Sequence, residues 1–546
     1  MGRIVNKKER KPLIVICSEG GKRSSEYYYF RSFATRDLRV QFSTGNSTDP
    51  EGMLQDLLKY ITNEDIKSED NCKVYLVIDK SEPHTHLFNS VFFHLRKGSI
   101  IPYSQLCKKN AQKWIISGII WLWRWISMIL EIGFNNYKLF KNDVCLSFKA
   151  DKRTKYLLSN TVDIDNATTL KAMAIYGPNN SGKTKLIDLF RIIKEVFIGN
   201  ENIRCNNRLF GDNPETLVYV VYNNNDGNGW IKYEWVYNSE KKVFTKEKLM
   251  RITYYSSGAP FETIIFEKST YDKKLTVNGD DKSNLLSILP INKPFLHTVN
   301  VDGGEFFVLK EWKESLIKCS NDIEIISMFN VPIQKTIEAL KNDDNKVSKF
   351  INAFVKGADL SINGFEYGKD IMINSEWEIG EKALKDYAEM ADTFKLVTTY
   401  GNYKVPSFFF DSTGTKKIEA IASYIYEAIA KGKLLVVDEL DNGLHFTLTR
   451  ALVSAFNNMI NKKGQIIFTA HDLLLIDCKN LMRKDQIYFM SRKEESSYVM
   501  SLKSVTANGD GLREGDSLLK RYNHGDFGPV PLPNFIKELI ITLNSD

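Results

Sequence analysis

KAMAIYGPNNSGKTKLIDLF, residues 171–190, decides the fold. Its first six residues are small, apolar or aromatic and read as a buried strand. A glycine-rich turn follows, and then apolar residues at helical spacing. Within the turn, Gly177, Pro178, Asn179, Asn180, Ser181, Gly182, Lys183 and Thr184 satisfy G-x-x-x-x-G-K-[ST] at every position. The pattern has a physical basis. The glycines let backbone N–H groups close around phosphate oxygens, and the helix N-terminus adds its positive dipole end. Lys183 is placed to neutralise the β- and γ-phosphates, and the Thr184 hydroxyl to ligate Mg²⁺. This is a nucleoside triphosphate site, so ATP and Mg²⁺ are the expected cofactors.

Such a site needs an acid on a second strand. LLVVDELDNGLH, residues 434–445, supplies one: four apolar residues run into Asp438 and Glu439. In P-loop NTPases the first carboxylate holds Mg²⁺. Glu439 is then placed to polarise the attacking water as general base. Two more pieces flank the pair. Ser412-Thr-Gly414-Thr415 opens a helical run 26 residues before Asp438 (438 − 412), and QIIFTAHD is a further buried strand ending at His471.

In this order the segments resemble the head of an ABC-type ATPase, with an α/β fold. The resemblance maps the signature loop onto Ser412 and Gly414, the acid pair onto Asp438 and Glu439, the D-loop onto Asp441 and the switch histidine onto His471. It implies a homodimer in which the signature helix of one copy caps the ATP held by the other, so that Glu439 and His471 are the catalytic candidates. Gly177 and Asp438 are 261 residues apart (438 − 177), which implies a large mixed α+β insertion, placed at about 225–400. It lacks sustained heptads, which excludes a long coiled coil. YEWVYNSEKKVFTKEKL reads as a hairpin, and KESLIKCSNDIEIISMF onward as short helices.

MILEIGFNNYKLFKNDVCLSF from Met128 resembles the opening strands of the RecF, Rad50 and OLD group. DSTGTKKIEA, VVDELDNGLH, RKDQIYF and KRYNHGDFGPVP narrow the likeness to prokaryotic ATPases of the AAA-15/AAA-21 group, which is associated with abortive infection and phage defence. The likeness covers residues 128–540. The function expected is an ATPase that senses infection and controls a Toprim-type nuclease effector. The alternatives are a RecF- or Rad50-like DNA-maintenance ATPase, which would bind DNA, and a transporter energiser.

Residues 1–95 are different. KPLIVICSEGGKRSSEYYYF resembles the first strand, turn and helix of the RloB-like Toprim fold, and KVYLVIDKSEPH a later strand. The resemblance makes Glu19 and Asp79, with Glu82, a second metal site. The departures count against an active nuclease: Ser81 stands where Toprim enzymes carry a second aspartate, and the sheet is only partial. A remnant or docking domain is expected, joined to the head through an apolar and basic connector over 96–127 that shows no periodicity.

Composition agrees with a soluble head. The chain is 43% hydrophobic and 26% charged with a net charge of +7, ordinary for a globular protein and permissive of nucleic acid without demanding it. Seven scattered cysteines without a CxxC pair fit a reducing cytoplasm. Trp114–Leu130 is apolar over 17 residues but carries Arg124. A span needs about 20 residues, and a central arginine costs about 2.5 kcal/mol or more. A buried helix is therefore expected, and membrane contact is disfavoured.

The remnant reading has a direct test. Glu19→Ala and Asp79→Ala should leave every activity of the purified chain intact. Metal-dependent cleavage of plasmid or tRNA that vanishes in either variant would make the chain its own effector.

Overall fold

A computed structural model describes five strands between residues 13 and 102 and most of residues 127–543, the longest gap being 369–391. Backbone contacts divide the chain into two units, Met1–Leu122 and Trp123–Asp546.

In the first unit the strands are β1 (Leu13–Ser18), β2 (Arg39–Phe42), β3 (Cys72–Val77), β4 (Val91–Arg96) and β5 (Ser99–Pro102), in the order β2-β1-β3-β4-β5. β1 pairs parallel with β2 and with β3, whereas β4 and β5 are antiparallel. The β4–β5 hairpin lies where the sequence showed no periodicity. In the sequence its two strands are separated by Lys97 and Gly98 alone, a glycine-containing spacer of the length that hairpins favour. Glu19, Asp79 and Glu82 lie outside the described residues, as does most of Trp114–Leu130.

The second unit opens with β6 (Ile129–Asn135), β7 (Val144–Ser147), β8 (Thr161–Ile164), β9 (Ala167–Leu170), β10 (Ala172–Tyr176) and helix α1 (Lys183–Phe197). Next come β11 (Glu215–Asn223), β12 (Trp230–Asn238), β13 (Val243–Tyr254), β14 (Pro260–Ser269), β15 (Lys274–Val277) and β16 (Asp280–Asp281). Then follow α2 (Lys310–Asn321), β17 (Ile323–Ser327), α3 (Gln334–Lys341), α4 (Asn345–Ala358), β18 (Ile362–Tyr367), β19 (Leu396–Tyr400), β20 (Tyr403–Pro406) and α5 (Ser407–Phe410). The last part holds α6 (Thr413–Lys431), β21 (Leu434–Asp438), α7 (Phe446–Asn457), β22 (Gln465–Ala470), β23 (Ile487–Lys493) and β24 (Ser496–Ser501), then three short helices.

Three sheets matter. The central one has the order β17-β21-β22-β10-β23-β24 and is parallel except at β24. β10, β21 and β22 are buried along their whole length, which is why each reads as a continuous apolar run rather than an alternating one. Eight strands, β16-β15-β14-β13-β12-β11-β6-β7, form an antiparallel sheet. α1 packs between these layers, with Leu186, Phe190, Ile193 and Phe197 in a core shared with Val220, Trp235, Val436 and Ile467. Buried Gln465 clamps the layers, accepting from the Ile129 N–H at 2.8 Å and donating to the Ile129 and Leu170 carbonyls at 2.9 and 3.0 Å. β18, β19 and β20 make a small separate sheet.

The hairpin expected from YEWVYNSEKKVFTKEKL is β12–β13. The short helices expected from KESLIKCSNDIEIISMF are only half right. α2 ends at Asn321, and IEIIS forms β17, which pairs parallel with β21 so that Ser327 lies beside Asp438. Five residues rich in isoleucine, with Ile323 in the core around α1 and Ile326 in the second core, fit a short strand better than a helical turn. Among the described residues no helix is long and apolar enough to cross a membrane.

Candidate functional site

All parallel strands of the central sheet point their carboxyl ends the same way, so the turn after β10 and the acids ending β21 share one edge, with β22 between them. Brought together there are residues 177–184, Asp438, Glu439, Asp441 and His471.

The phosphate loop takes its shape from backbone constraints. A Cβ on Gly177 would lie 2.5 Å from the Met490 carbonyl oxygen of β23, so only glycine fits. Gly182, which caps α1, has φ 102°, in the left-handed region that glycine tolerates. Asn179, Asn180 and Thr184 are exposed, whereas Ser181 is buried, and its hydroxyl has no hydrogen-bond partner among the described residues. A buried hydroxyl without a partner is what a phosphate oxygen would satisfy. Lys183 is folded onto the loop, donating to the carbonyls of Gly177 at 2.6 Å and Pro178 at 3.1 Å. Burial lowers its pKa, while Glu439, Asp438 and Asp441 pull it back up. The lysine and the acids therefore sense one another across the edge.

One hydroxyl organises the acids. Thr469 of β22, fully buried, donates to Asp438 Oδ1 at 2.7 Å and accepts from the Glu439 N–H at 2.7 Å. Glu439 has φ 56°, an uncommon conformation for this residue type that turns the chain sharply out of the strand. Its Oε2 accepts from Asn442 Nδ2 at 2.7 Å, and its Oε1 lies 3.8 Å from His471 Nε2. Asp441 Oδ2 accepts from the backbone N–H groups of His471 at 2.8 Å and Asp472 at 2.5 Å, tying the loop after β21 to the end of β22.

Ser412 caps α6, its Oγ accepting from the Thr415 N–H at 3.1 Å. Ser412 and Thr413 are exposed, so the capped end of this helix faces solvent. Gly414 lies against the loop after β21, where a Cβ would come 3.0 Å from the Gly443 carbonyl oxygen. Lys417, one turn further, donates to the Asn442 carbonyl at 2.9 Å and side-chain oxygen at 2.8 Å. Asn442 thus touches Lys417 on one side and Glu439 on the other. Among the described residues no hydrogen bond joins Ser412 or Gly414 to residues 177–184 of the same chain.

Sequence reasoning passed over Thr469, Asn442 and Lys417. The signal for Thr469 was a single polar residue in the apolar run IIFTA, two positions before His471. Lys417 carried none, because its role depends on a contact with a segment 25 residues away, and Asn442 read only as part of the turn after Glu439.

The family model described as "AAA domain, putative AbiEii toxin, Type IV TA system" matches residues 172–477. A comparison with curated proteins finds no match. Similar solved structures include the SMC head domain from Thermotoga maritima, 14% identical, covering 68% of this chain and 98% of that one at a TM-score of 0.31. A second is an Smc head bound to the C-winged helix domain of ScpA, 14% identical, covering 69% and 99% at 0.33. A third is the Smc head with an extended coiled coil bound to the C-terminal domain of ScpA, derived from Pyrococcus furiosus, 13% identical, covering 70% and 98% at 0.32.

Thr469→Val keeps shape but leaves the Asp438 oxygen and the Glu439 N–H unpaired. The expected cost is about 1–3 kcal/mol in denaturant unfolding, together with loss of ATP turnover. Thr469→Ser should restore both. Equal turnover by the valine and serine variants would show that the hydroxyl does not organise the acids.

Proposed function

The chain belongs to the AAA_21 family, and from that premise we propose that it is an ATP-driven switch that closes as a homodimer around two nucleotides and serves prokaryotic defence against phage. ATP binding and hydrolysis are the family's business. The dimer, the defence role and the roles of individual residues are our reading. One observation carries it: the phosphate loop and the Asp438–Glu439 pair occupy one sheet edge, while the exposed Ser412 helix end bonds within its own neighbourhood and not to that loop.

Each residue then has a task. The backbone N–H groups of residues 179–184, Ser181 Oγ and Lys183 hold the phosphates. On ATP binding the Lys183 ammonium would exchange two carbonyls for phosphate oxygens, a change from neutral to charged acceptors that favours the bound state. Glu439 orients and deprotonates the attacking water, with Asn442 fixing one carboxylate oxygen and His471 beside the other. Ser412 and the N-terminus of α6 from a second copy meet the γ-phosphate, where a helix N-terminus is favourable to a polyanion.

Mg²⁺ fits this donor set. Thr184 and Asp438 offer hard oxygen ligands, and Mg²⁺ usually takes the rest of its shell from phosphate and water. When bound it would neutralise charge on the phosphates.

The family description mentions a toxin of a type IV system, and the motifs resemble abortive-infection ATPases. Both support a role in which closure of the head controls an effector. The Toprim-like reading of residues 1–95 makes a nuclease, in cis or as a separate partner, the effector we favour. The parallel pairing of β1 with β3, the strands that precede Glu19 and Asp79, supports that part. The division into 1–95, 96–127 and 128–546, and a cytoplasmic location, belong to the same reading.

Three substitutions separate the roles. Glu439→Gln should bind ATP, close the dimer and slow turnover by about 10²–10⁴-fold. Asp438→Asn should impair closure and turnover together. Ser412→Arg should bind ATP as a monomer and not close. Light scattering with and without Mg-ATP reads all three, and full turnover by Glu439→Gln would contradict the assignment. Plaque assays with and without the gene and its neighbours test the biology: protection lost in Glu439→Gln supports defence, and ATP-stimulated DNA binding without any protection would favour DNA maintenance.

A further inference from the structure

Behind Ser412 lie two buried carboxyl groups that the hydrolysis reading does not use. Asp411 directly precedes Ser412 and is 5% exposed; Glu419, in the second turn of α6, is 0% exposed. Asp411 Oδ1 accepts from the Tyr400 hydroxyl at 2.6 Å, and its Oδ2 from the Thr398 hydroxyl. Glu419 Oε2 accepts from the Ser407 hydroxyl at 2.6 Å, while its Oε1 lies 3.4 Å from Thr398 Oγ1. Among the described residues, no lysine or arginine bonds to either carboxyl.

Two adjacent carboxyls buried without a cation cannot both be charged at reasonable cost, so one keeps its proton. The environment says which. Burial first, then the hydrogen bond with Asp411, pushes Glu419 up to about 9. Burial would raise Asp411 as well, but hydrogen bonds from Glu419, Thr398 and Tyr400 hold it below the usual range. Thr398 has a single proton, which goes to Asp411. Glu419 is left as the acid that donates into the pair.

This geometry has a direct consequence for the loop. Thr398 and Tyr400 belong to β19, Ser407 to α5 and Glu419 to α6. The Asp411 side chain is therefore bound to β19, and Glu419 ties α6 to α5 through Ser407, so the peptide entering Ser412 is fixed from behind while its front faces solvent. We propose that Asp411 and Glu419, braced by Thr398, Tyr400 and Ser407, are positioning residues that hold Ser412 in place to reach the nucleotide of a second copy. The proposal rests on the reading of Ser412 as a contact made in trans. It adds that the β18–β20 sheet is joined to that contact through Thr398 and Tyr400.

The test compares isosteres. Glu419→Gln keeps a donor toward Asp411 and an acceptor for Ser407, so ATP-driven dimerisation by light scattering and ATP turnover should stay within about threefold of the parent chain. Glu419→Ala leaves charged Asp411 short of a buried donor and frees the loop. Dimerisation at saturating Mg-ATP should weaken about 10- to 100-fold while ATP affinity of the monomer stays unchanged. Thr398→Val, nearly isosteric, should weaken closure in the same direction and serves if the alanine variant does not fold. Closure of Glu419→Ala and Thr398→Val equal to the parent's, or a folded Glu419→Gln as defective as alanine, would overturn the proposal. Ser412→Arg measured in parallel separates the two ideas. If it blocks closure while the Glu419 and Thr398 variants do not, only the positioning role fails. If it closes normally, the contact in trans fails and the positioning role falls with it.

Discussion

The Thr469 hydroxyl sits between Asp438 and Glu439 and satisfies both, donating to the carboxylate of one and accepting from the backbone N–H of the other. That arrangement depends on β22 lying beside β21 in parallel register, with Val437 opposite Phe468. β22 pairs with β10 on its other edge, which places the phosphate loop across from the acids. A polar group buried this deeply is tolerated because it is fully paired, and the pairing in turn fixes which way each acid points. Asp438 is held back under the sheet edge. Glu439, forced to a positive φ, is thrown forward to where Asn442 and His471 can reach it.

Around that point the site is built as a relay of short contacts. Asp441 ties the loop after β21 to the start of the segment after β22. Lys417 ties the same loop to α6, and Asp411 and Glu419 tie the start of α6 to the small sheet through Tyr400 and Thr398. None of these bonds closes the nucleotide site within one chain. The end of α6, capped by its own Ser412, faces solvent, and in our reading it meets the polyanion held by another copy. Binding energy for ATP is then shared between holding the nucleotide and holding the dimer, which is how hydrolysis can release it.

Much of this was legible in the sequence, for a physical reason. A loop that wraps phosphate with its own backbone tolerates few residue types, so residues 177–184 declare themselves. Buried parallel strands read as apolar runs, so LLVVD and QIIFTA do too, and a serine opening an amphipathic run reads as a helix cap. Thr469, Asn442 and Lys417 were not legible, because a threonine in a strand or a lysine on a helix acquires its role only when a segment tens of residues away arrives beside it. β17 failed for a related reason. IEIIS is too short to show a period, and its parallel partner, β21, begins more than a hundred residues later. The β4–β5 hairpin had a turn signal in Lys97-Gly98 that the absence of periodicity around it concealed.

The central claim is that a working ATP site is assembled from two chains, and mixing two disabled chains tests it most directly. Lys183→Ala lacks the phosphate lysine but keeps its signature end, and Ser412→Arg has the reverse defect. Each alone should neither close nor hydrolyse ATP. Mixed, they can form one site from the phosphate loop of the Ser412→Arg chain and the α6 end of the Lys183→Ala chain. The account predicts that the mixture regains ATP-dependent dimers and measurable turnover that neither variant shows alone. A mixture as inert as its components, with both variants folded, would contradict assembly in trans and with it the switch built upon it.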